Sequence, residues 1–362
     1  MTGAEYDAIK SVVDANYLNE GGVTEQFEAE LARRLGVAHV VSATSGTAAL
    51  FMSLAAAGIG PGDEVVVPDL TFIATANAVT LAGGTTVLAD IDRRTLNLDP
   101  VSFERAITPR TRAVIPVHVT GRGADMTSIM RIATAHGIAV VEDAAEAFMS
   151  KKDGRQLGTI GIAGCFSFSP NKTITTGQGG AIATNDAAFA GRLRELKDQG
   201  RPRRGTGGDD LHPTIGFNFK FTNLQAAVGL AQLVRLEERL DRQRGIYLAY
   251  EAALKDVDGI VLPGFDIDGG ECPQWTDAVV ERRDELDRYL AKSGAGCRRF
   301  WFPLHTQAPY RRPDSEFPIA TTVGPHAIWL TSAFTLTDDE VARVCELIRT
   351  FARSREVSPS RR

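Results

Sequence analysis

Between residues 38 and 185, short apolar runs rich in β-branched residues alternate with helix-like segments. The runs cover 38–42, 64–67, 86–91, 112–117, 138–141, 164–168 and 180–184, with helical stretches such as 48–57, 73–81 and 128–136 between them. Near-continuous apolar strands separated by helices are what a parallel sheet requires, because both its faces are covered and each crossover needs a helix-length connection. The pattern predicts an α/β fold with a mainly parallel sheet flanked by helices.

Beyond residue 186 the texture changes to a helix, a Gly-, Arg- and Asp-rich loop over 200–210, and a long amphipathic stretch over 223–254 that reads as a connector. Two short β-like runs, a charged helix over 281–292 and a last helix over 338–353, with Thr337 as its N-cap, complete the chain. A length of 362 residues favours two domains over one. The expected division is a large domain over 1–235 and a smaller C-terminal α/β domain over 236–362, with the extreme N-terminus against the smaller one. The polar residues 354–362 are expected to be loose.

Composition narrows the function classes. A net charge of -5 leaves no basic field for phosphate backbones, and the cluster Arg201, Arg203 and Arg204 is short, so nucleic acid is not an expected partner. Cys165, Cys272, Cys297 and Cys345 stand far apart, without zinc-site spacing or the density of a disulfide scaffold, which fits a reducing compartment and no metal. Acidic residues sit where a signal peptide needs a basic start, and there is no run of about 18 apolar residues, so a cytoplasmic, membrane-free protein is expected.

Three segments carry chemistry. In FSFSPNKTITTGQGG, residues 166–180, a strand-like run ends in turn-forming residues and presents Lys172, followed by glycines that let backbone approach a ligand. An amine there attacks an aldehyde if its pKa is lowered; taken alone, it is equally an exposed turn lysine. In AVVEDAAEA, residues 139–147, an apolar strand delivers Asp143 at its carboxyl end, where open α/β sheets bind ligands, with Glu146 three residues on. Such a carboxylate keeps a pyridine nitrogen protonated, although a helix cap or a metal ligand is the simpler reading of one strand-end Asp. In SATSGTAALFMSLAAAG, residues 42–58, strand, tight turn and helix follow one another, so the amides of Gly46 and Thr47 and the hydroxyls of Ser45 and Thr47 suit a phosphate as well as an ordinary cap. Together they supply the three handles of pyridoxal phosphate: a phosphate cradle, an acid for the ring nitrogen and an amine for the aldehyde.

The order of these segments resembles fold type I aminotransferases. In detail the chain is similar to the DegT/DnrJ/EryC1/StrS family of sugar aminotransferases through GGVTEQFEAELARRLGV, SGTAAL, PGDEVVVPDLTFIATANAV, IPVHVTG, EDAAEA, FSFSPNKTITTGQGG and GFNFKFTNLQAAVGLAQL. The stretches PDLTFIATANAV and NKTITTG look closest to the perosamine-forming group, which aminates C4 of a GDP-linked 4-keto-6-deoxy sugar. The resemblance implies that Lys172 forms the Schiff base and shuttles protons, Asp143 bonds the pyridine nitrogen, Ser167 joins Ser45, Gly46 and Thr47 around the phosphate, Phe72 stacks on the ring, and Glu146 approaches the ring hydroxyl. It implies that Asn218 reaches the cofactor phosphate of a neighbouring subunit, hence a homodimer with shared active sites. The late segment RRFWFPLHTQAPY, residues 298–310, resembles the family stretch that returns to the active-site mouth, and Lys220 and His305 are the substrate-binding candidates, although a lone histidine in a Pro-bounded loop is more simply structural, as are His118 and His212.

The implied reaction moves an amino group from L-glutamate through pyridoxamine phosphate to a nucleotide-linked keto sugar. Because Lys172 is present where dehydratases of the family carry histidine, transamination is expected. Three positions depart from the family: Gln178 replaces the usual Glu, Lys220 the usual Arg, and 205–212 lacks the aromatic that often precedes the family's histidine. These bear on the substrate, and a keto-cyclitol or C3-keto sugar, or a non-catalytic regulator that binds the cofactor, are the alternatives.

Overall fold

In the computed structural model, which describes residues 3–202 and 210–354, the seven apolar runs become one sheet. Its strands are β1 (His39–Ala43), β2 (Glu64–Pro68), β3 (Thr85–Ala89), β4 (Thr111–Val114), β5 (Ala139–Asp143), β8 (Ala163–Ser167) and β9 (Gly180–Thr184), with a small hairpin, β6 (Lys151–Lys152) and β7 (Arg155–Gln156), between β5 and β8. The spatial order is β1-β9-β8-β5-β4-β2-β3, and only β9 runs against its neighbours. Alternation along the strands sorts the core: Val66, Val114 and Val140 face one apolar cluster, and Val65, Val67, Ala113 and Val141 face the other. Helix Gly46–Ala56 is buried nearly all round, which its unbroken apolar composition permits. The expected α/β class, with a mainly parallel sheet, is therefore the observed one.

The second sheet is antiparallel, in the order β10-β11-β13-β12: β10 (Ile260–Val261), β11 (Asp277–Val280), β12 (Arg298–Arg299) and β13 (Ala327–Trp329). Where two β-like runs were expected, four short strands form. The expected connector over 223–254 is two helices, Asn223–Leu233 and Leu236–Leu254. The break at Val234 and Arg235 lets one helix serve two cores: Leu236 and Leu240 join the core of the first sheet, and Ile246, Tyr250 and Leu254 that of the second. The final helix, Asp338–Arg353, starts at Thr337 with a reciprocal Thr337–Glu340 capping box. Two helices that the strand pattern left unread, Ala4–Asp14 and Gly22–Leu35, precede β1, and the first packs along Asn223–Leu233.

A fourth apolar cluster, with Leu70, Val117, Val119, Phe300, Phe317 and Trp329, joins the two sheets. Arg203, Arg204, most of the loop 205–212, and the tail 355–362 lie outside the described residues. Among the described residues, no helix is long and apolar enough to cross a membrane.

Candidate active site

The carboxyl ends of β1, β5 and β8 open onto one cavity of about 330 Å³. Ser45, Gly46, Thr47, Phe72, Asp143, Glu146, Ser167 and Lys172 all line it. Eight of the expected site residues, far apart in sequence, are thus one surface.

The turn expected to cradle a phosphate is the N-terminus of helix Gly46–Ala56. Ser45 is the N-cap, its Oγ accepting from the amide of Ala48 at 3.1 Å, while the amides of Gly46 and Thr47 have no carbonyl one turn back to bond. A Cβ on Gly46 would stand 2.9 Å from the Cβ of Ser167, so only glycine lets this turn close onto the end of β8.

Asp143 ends β5 and is buried. Thr75 Oγ1 donates to its Oδ2 at 2.8 Å, and the amide of Ala145 to its Oδ1 at 3.2 Å. Burial pushes its carboxyl above the ordinary value, against the hydrogen bonds from Thr75 and Ala145 and the charge of Lys172. A cationic ring nitrogen placed there would act in the same direction as Lys172 and favour the carboxylate. Thr75 is a site residue that sequence reading missed; it lies one helical turn beyond Thr71 on the TFIATAN segment.

Lys172 sits on a turn closed by its amide to the carbonyl of Ser169 at 3.1 Å. Its side chain is 11% exposed; Nζ donates to Glu146 Oε1 at 3.2 Å and lies 4.7 Å from the ring centroid of Trp275. This is no solvent-exposed turn lysine. Glu146 Oε2 accepts the amide of Thr120 at 3.0 Å. Burial raises the Glu146 carboxyl, with the Lys172 charge and the Thr120 amide pulling it back.

The other expected residues lie elsewhere. Lys220 Nζ pairs with Asp198 at 2.6 Å, and Asn218 bridges the backbone of Asp198; neither lines the cavity of its own chain. His305 is fully buried, its Nδ1 2.6 Å from Asp69 Oδ2, its amide donating to Asp69 Oδ1, and its ring stacked on Phe317. The expected contact of His305 with sugar or phosphate is therefore corrected: its Pro-bounded loop is tied to the end of β2, and the ring is spent on that tie. His118 is likewise structural, its Nδ1 accepting the amide of Ala124 and its Nε2 donating to Glu142 at 2.9 Å. His212 bonds Asp210 and the carbonyl of Gln199 outside the cavity.

The opposite wall comes from the second sheet; the resemblance leads only its segment 298–310 to the mouth of the site, and Trp275 and Trp329 are not anticipated. All three tryptophans of the chain, Trp275, Trp301 and Trp329, line the cavity with Arg298. Trp329 packs on Trp275 and Trp301 with ring centroids 5.1 Å apart in each pair. Arg299 is paired with Asp284 and Asp287, whereas Arg298 stands over the ring of Trp329, with no carboxylate in ion-pair distance among the described residues. The clustering of a rare residue type over 275–329, beside RRFWF, was the available signal. A second cavity of about 450 Å³ shares Lys172, Trp275, Arg298 and Trp329 and continues past Gln243 and Gln274.

The donor set fits pyridoxal phosphate: unpaired amides and hydroxyls at one side, a buried carboxylate on β5, and an amine between them. Comparison with known proteins decides the family. The model for the DegT/DnrJ/EryC1/StrS aminotransferase family matches residues 1–349. The chain belongs to that family. It is a pyridoxal-phosphate-dependent sugar aminotransferase family, and the chain is an aminotransferase-family enzyme. It is similar to GDP-perosamine synthase of Caulobacter vibrioides, at 38% identity over 95% of this chain and 94% of that protein. GDP-perosamine synthase of Escherichia coli O157:H7 is 34% identical over 97% of this chain and 96% of that protein. Among solved structures, DesV of S. venezuelae, in complex with a ketimine intermediate, superposes with a TM-score of 0.91 at 35% identity, covering 96% of this chain and 94% of that one. DesI, solved with its TDP-sugar product, gives 0.89 at 33% identity over 99% of this chain and 92% of that one.

Proposed function

We propose that this family member transfers an amino group from L-glutamate to C4 of a nucleotide-linked 4-keto-6-deoxyhexose, as a homodimer with shared active sites. The observation that carries the reading is the convergence of Lys172, Asp143 and the Ser45–Thr47 turn on one cavity. The choice of acceptor is supported by the likeness to GDP-perosamine synthases over nearly the whole chain.

Ser45, Gly46, Thr47 and Ser167 would hold the cofactor's phosphate, Phe72 would cover its ring, and Asp143 would hold the proton on its nitrogen. When bound, the pyridoxal ring supplies an electron sink for the carbon that loses a proton. Lys172 Nζ, charged and then neutral in turn, holds and moves that proton, and Glu146 sets its position. Trp275, Trp301 and Trp329 keep water off this proton, and Arg298 offers a fixed cation to an anionic substrate group. We assign the cofactor cradle to residues 1–235 and the substrate-facing wall to 236–362. Asn218 and Lys220, outside the cavity of their own chain, are assigned to the partner's site.

Single-turnover half-reactions test this. Protein loaded with pyridoxal phosphate is converted by L-glutamate to the pyridoxamine form. That form is then offered GDP- and dTDP-linked 4-keto-6-deoxyhexoses, a 3-keto sugar and a keto-cyclitol. Fastest recovery of the starting spectrum with a nucleotide-linked 4-keto sugar is expected. Recovery with the cyclitol alone, or no conversion by any amino acid, would overturn the acceptor or the enzyme reading respectively.

A further inference from the structure

Behind Glu146 runs a buried chain of contacts that ends in the second sheet. Thr120, whose amide donates to Glu146 Oε2, has φ 53° and ψ 17°, the left-handed region that a β-branched residue adopts only under strain. Two contacts from the other side hold it there. Its carbonyl accepts the amide of Gln274 at 2.7 Å, and its Oγ1 lies 3.1 Å from Asp277 Oδ1. Asp277, on β11, is itself fixed by Arg122, whose Nη2 donates to the same Oδ1 at 2.9 Å. Arg122 also donates to the carbonyls of Thr95, Pro263 and Gly264, and stacks 4.3 Å from the ring centroid of Phe265. Thr120, Arg122 and Asp277 are at most 1% exposed.

A buried ion pair of this kind is weak evidence for stability, because desolvation offsets much of the attraction. Among the described residues Asp277 Oδ2 has no hydrogen-bond partner, so this pair is not optimised for stability either. The geometry makes better sense as positioning. Thr120 presents its amide to Glu146 only while it stays left-handed, and what keeps it so belongs to the segment 274–277 at the second sheet. Seating of that sheet is thereby linked to the carboxylate that holds Lys172.

We infer that Thr120, Asp277 and Arg122 form a positioning relay through which the C-terminal sheet sets the charge on Glu146, and through it the proton affinity of the nitrogen at Lys172. The inference rests on the cofactor reading above. With the relay intact, Glu146 keeps the amide bond that favours its charged form, and a carboxylate there stabilises positive charge on the lysine nitrogen. With the clamp on Thr120 removed, the residue relaxes toward ordinary backbone angles and its amide turns away. Burial then favours neutral Glu146, and the nitrogen releases its proton more readily. The charged groups facing this nitrogen are Asp143 and Glu146 from the first sheet, with His118 acting on Asp143 from behind. Arg298 lines the same cavity from the second sheet.

The test is a pH titration of the visible absorption band of the protein loaded with pyridoxal phosphate, in wild type, Thr120→Val, Thr120→Ser and Asp277→Asn. Val keeps the shape and the amide but loses the hydroxyl; Asn loses the charge. The relay predicts that Val and Asn lower the apparent pKa of the band by about half a unit or more, a threefold loss of proton affinity, while Ser restores the wild-type titration. Thr120→Val covers the case in which Asp277→Asn does not fold. Wild-type titrations in a folded Thr120→Val protein would overturn the relay and leave the cofactor reading standing. A wild type without any visible band would overturn both.

Discussion

Where the seven-stranded sheet meets the cavity, polar groups are set in place by backbone and neighbouring side chains. Where the four-stranded sheet meets it, the lining is three tryptophans and an arginine without a carboxylate partner among the described residues. The first wall is organised around fixed points: a helix N-terminus, the Thr75-bonded Asp143 and the Glu146-bonded Lys172. The second offers area and one cation. A site that repeats the same proton chemistry on two different substrates needs this division, with rigid handles for the cofactor and a broad, weakly committed surface for what comes and goes.

The same contrast recurs between two adjacent residues. Glu142 is buried and accepts His118 Nε2 and the amides of Gly158, Ile160 and Gly161, so its carboxylate has all the donors it needs. Burial alone would raise it, but His118 and these amides outweigh burial and hold it below the ordinary value. Asp143, one position on, has only Thr75 and the Ala145 amide, and burial keeps it raised. The saturated carboxylate serves the fold, and the under-saturated one has room for the ligand role proposed for it.

Four substitutions test the contrast between the walls and between the two carboxylates. Lys172→Ala removes the amine that both walls surround and lowers the half-reaction with L-glutamate by on the order of 10⁴-fold, measured by single-turnover absorbance. Glu142→Gln sets an amide donor against backbone donors and costs about 3–5 kcal/mol of stability in urea at pH 7. Because the folded pKa of Glu142 is depressed, this contribution is fully present above the unfolded value of 4.5 and fades as pH falls through the lower, folded value. The urea midpoints of wild type and variant should therefore converge in acid. Asp143→Asn slows the same half-reaction by about 10²–10³-fold while the protein still takes up cofactor, since the phosphate turn is untouched. Arg298→Ala raises the KM of an anionic substrate by about tenfold to a hundredfold without moving the urea midpoint. A rise confined to glutamate assigns the cation to the donor, and one confined to the keto sugar assigns it to the acceptor's diphosphate.

The two walls also differ in how far they can be read from the chain. The first is written locally: β-rich runs place Asp143 and Ser167 at strand ends, and the Ser-Gly-Thr turn and the glycines around Lys172 announce close backbone approach. The second depends on antiparallel register, which periodicity does not specify in strands of two to four residues. Only pairing of Arg298 and of Asp277 with Trp329 brings 275, 298 and 329 together. His305 was ambiguous for a related reason, since its partner Asp69 is remote in sequence and nothing in the Pro-bounded loop names it. Thr120 was hidden too, because Gln274 and Asp277, which bond its carbonyl and hydroxyl, are remote in sequence.

The proposed chemistry turns on one nitrogen, Lys172 Nζ. Borohydride reduction of the protein loaded with pyridoxal phosphate, followed by peptide mass mapping, locates the lysine that bonds the cofactor. One stoichiometric adduct on Lys172, within the segment 166–180, is expected. An adduct on Lys197, Lys220 or scattered surface lysines, with Lys172 unmodified, would contradict it.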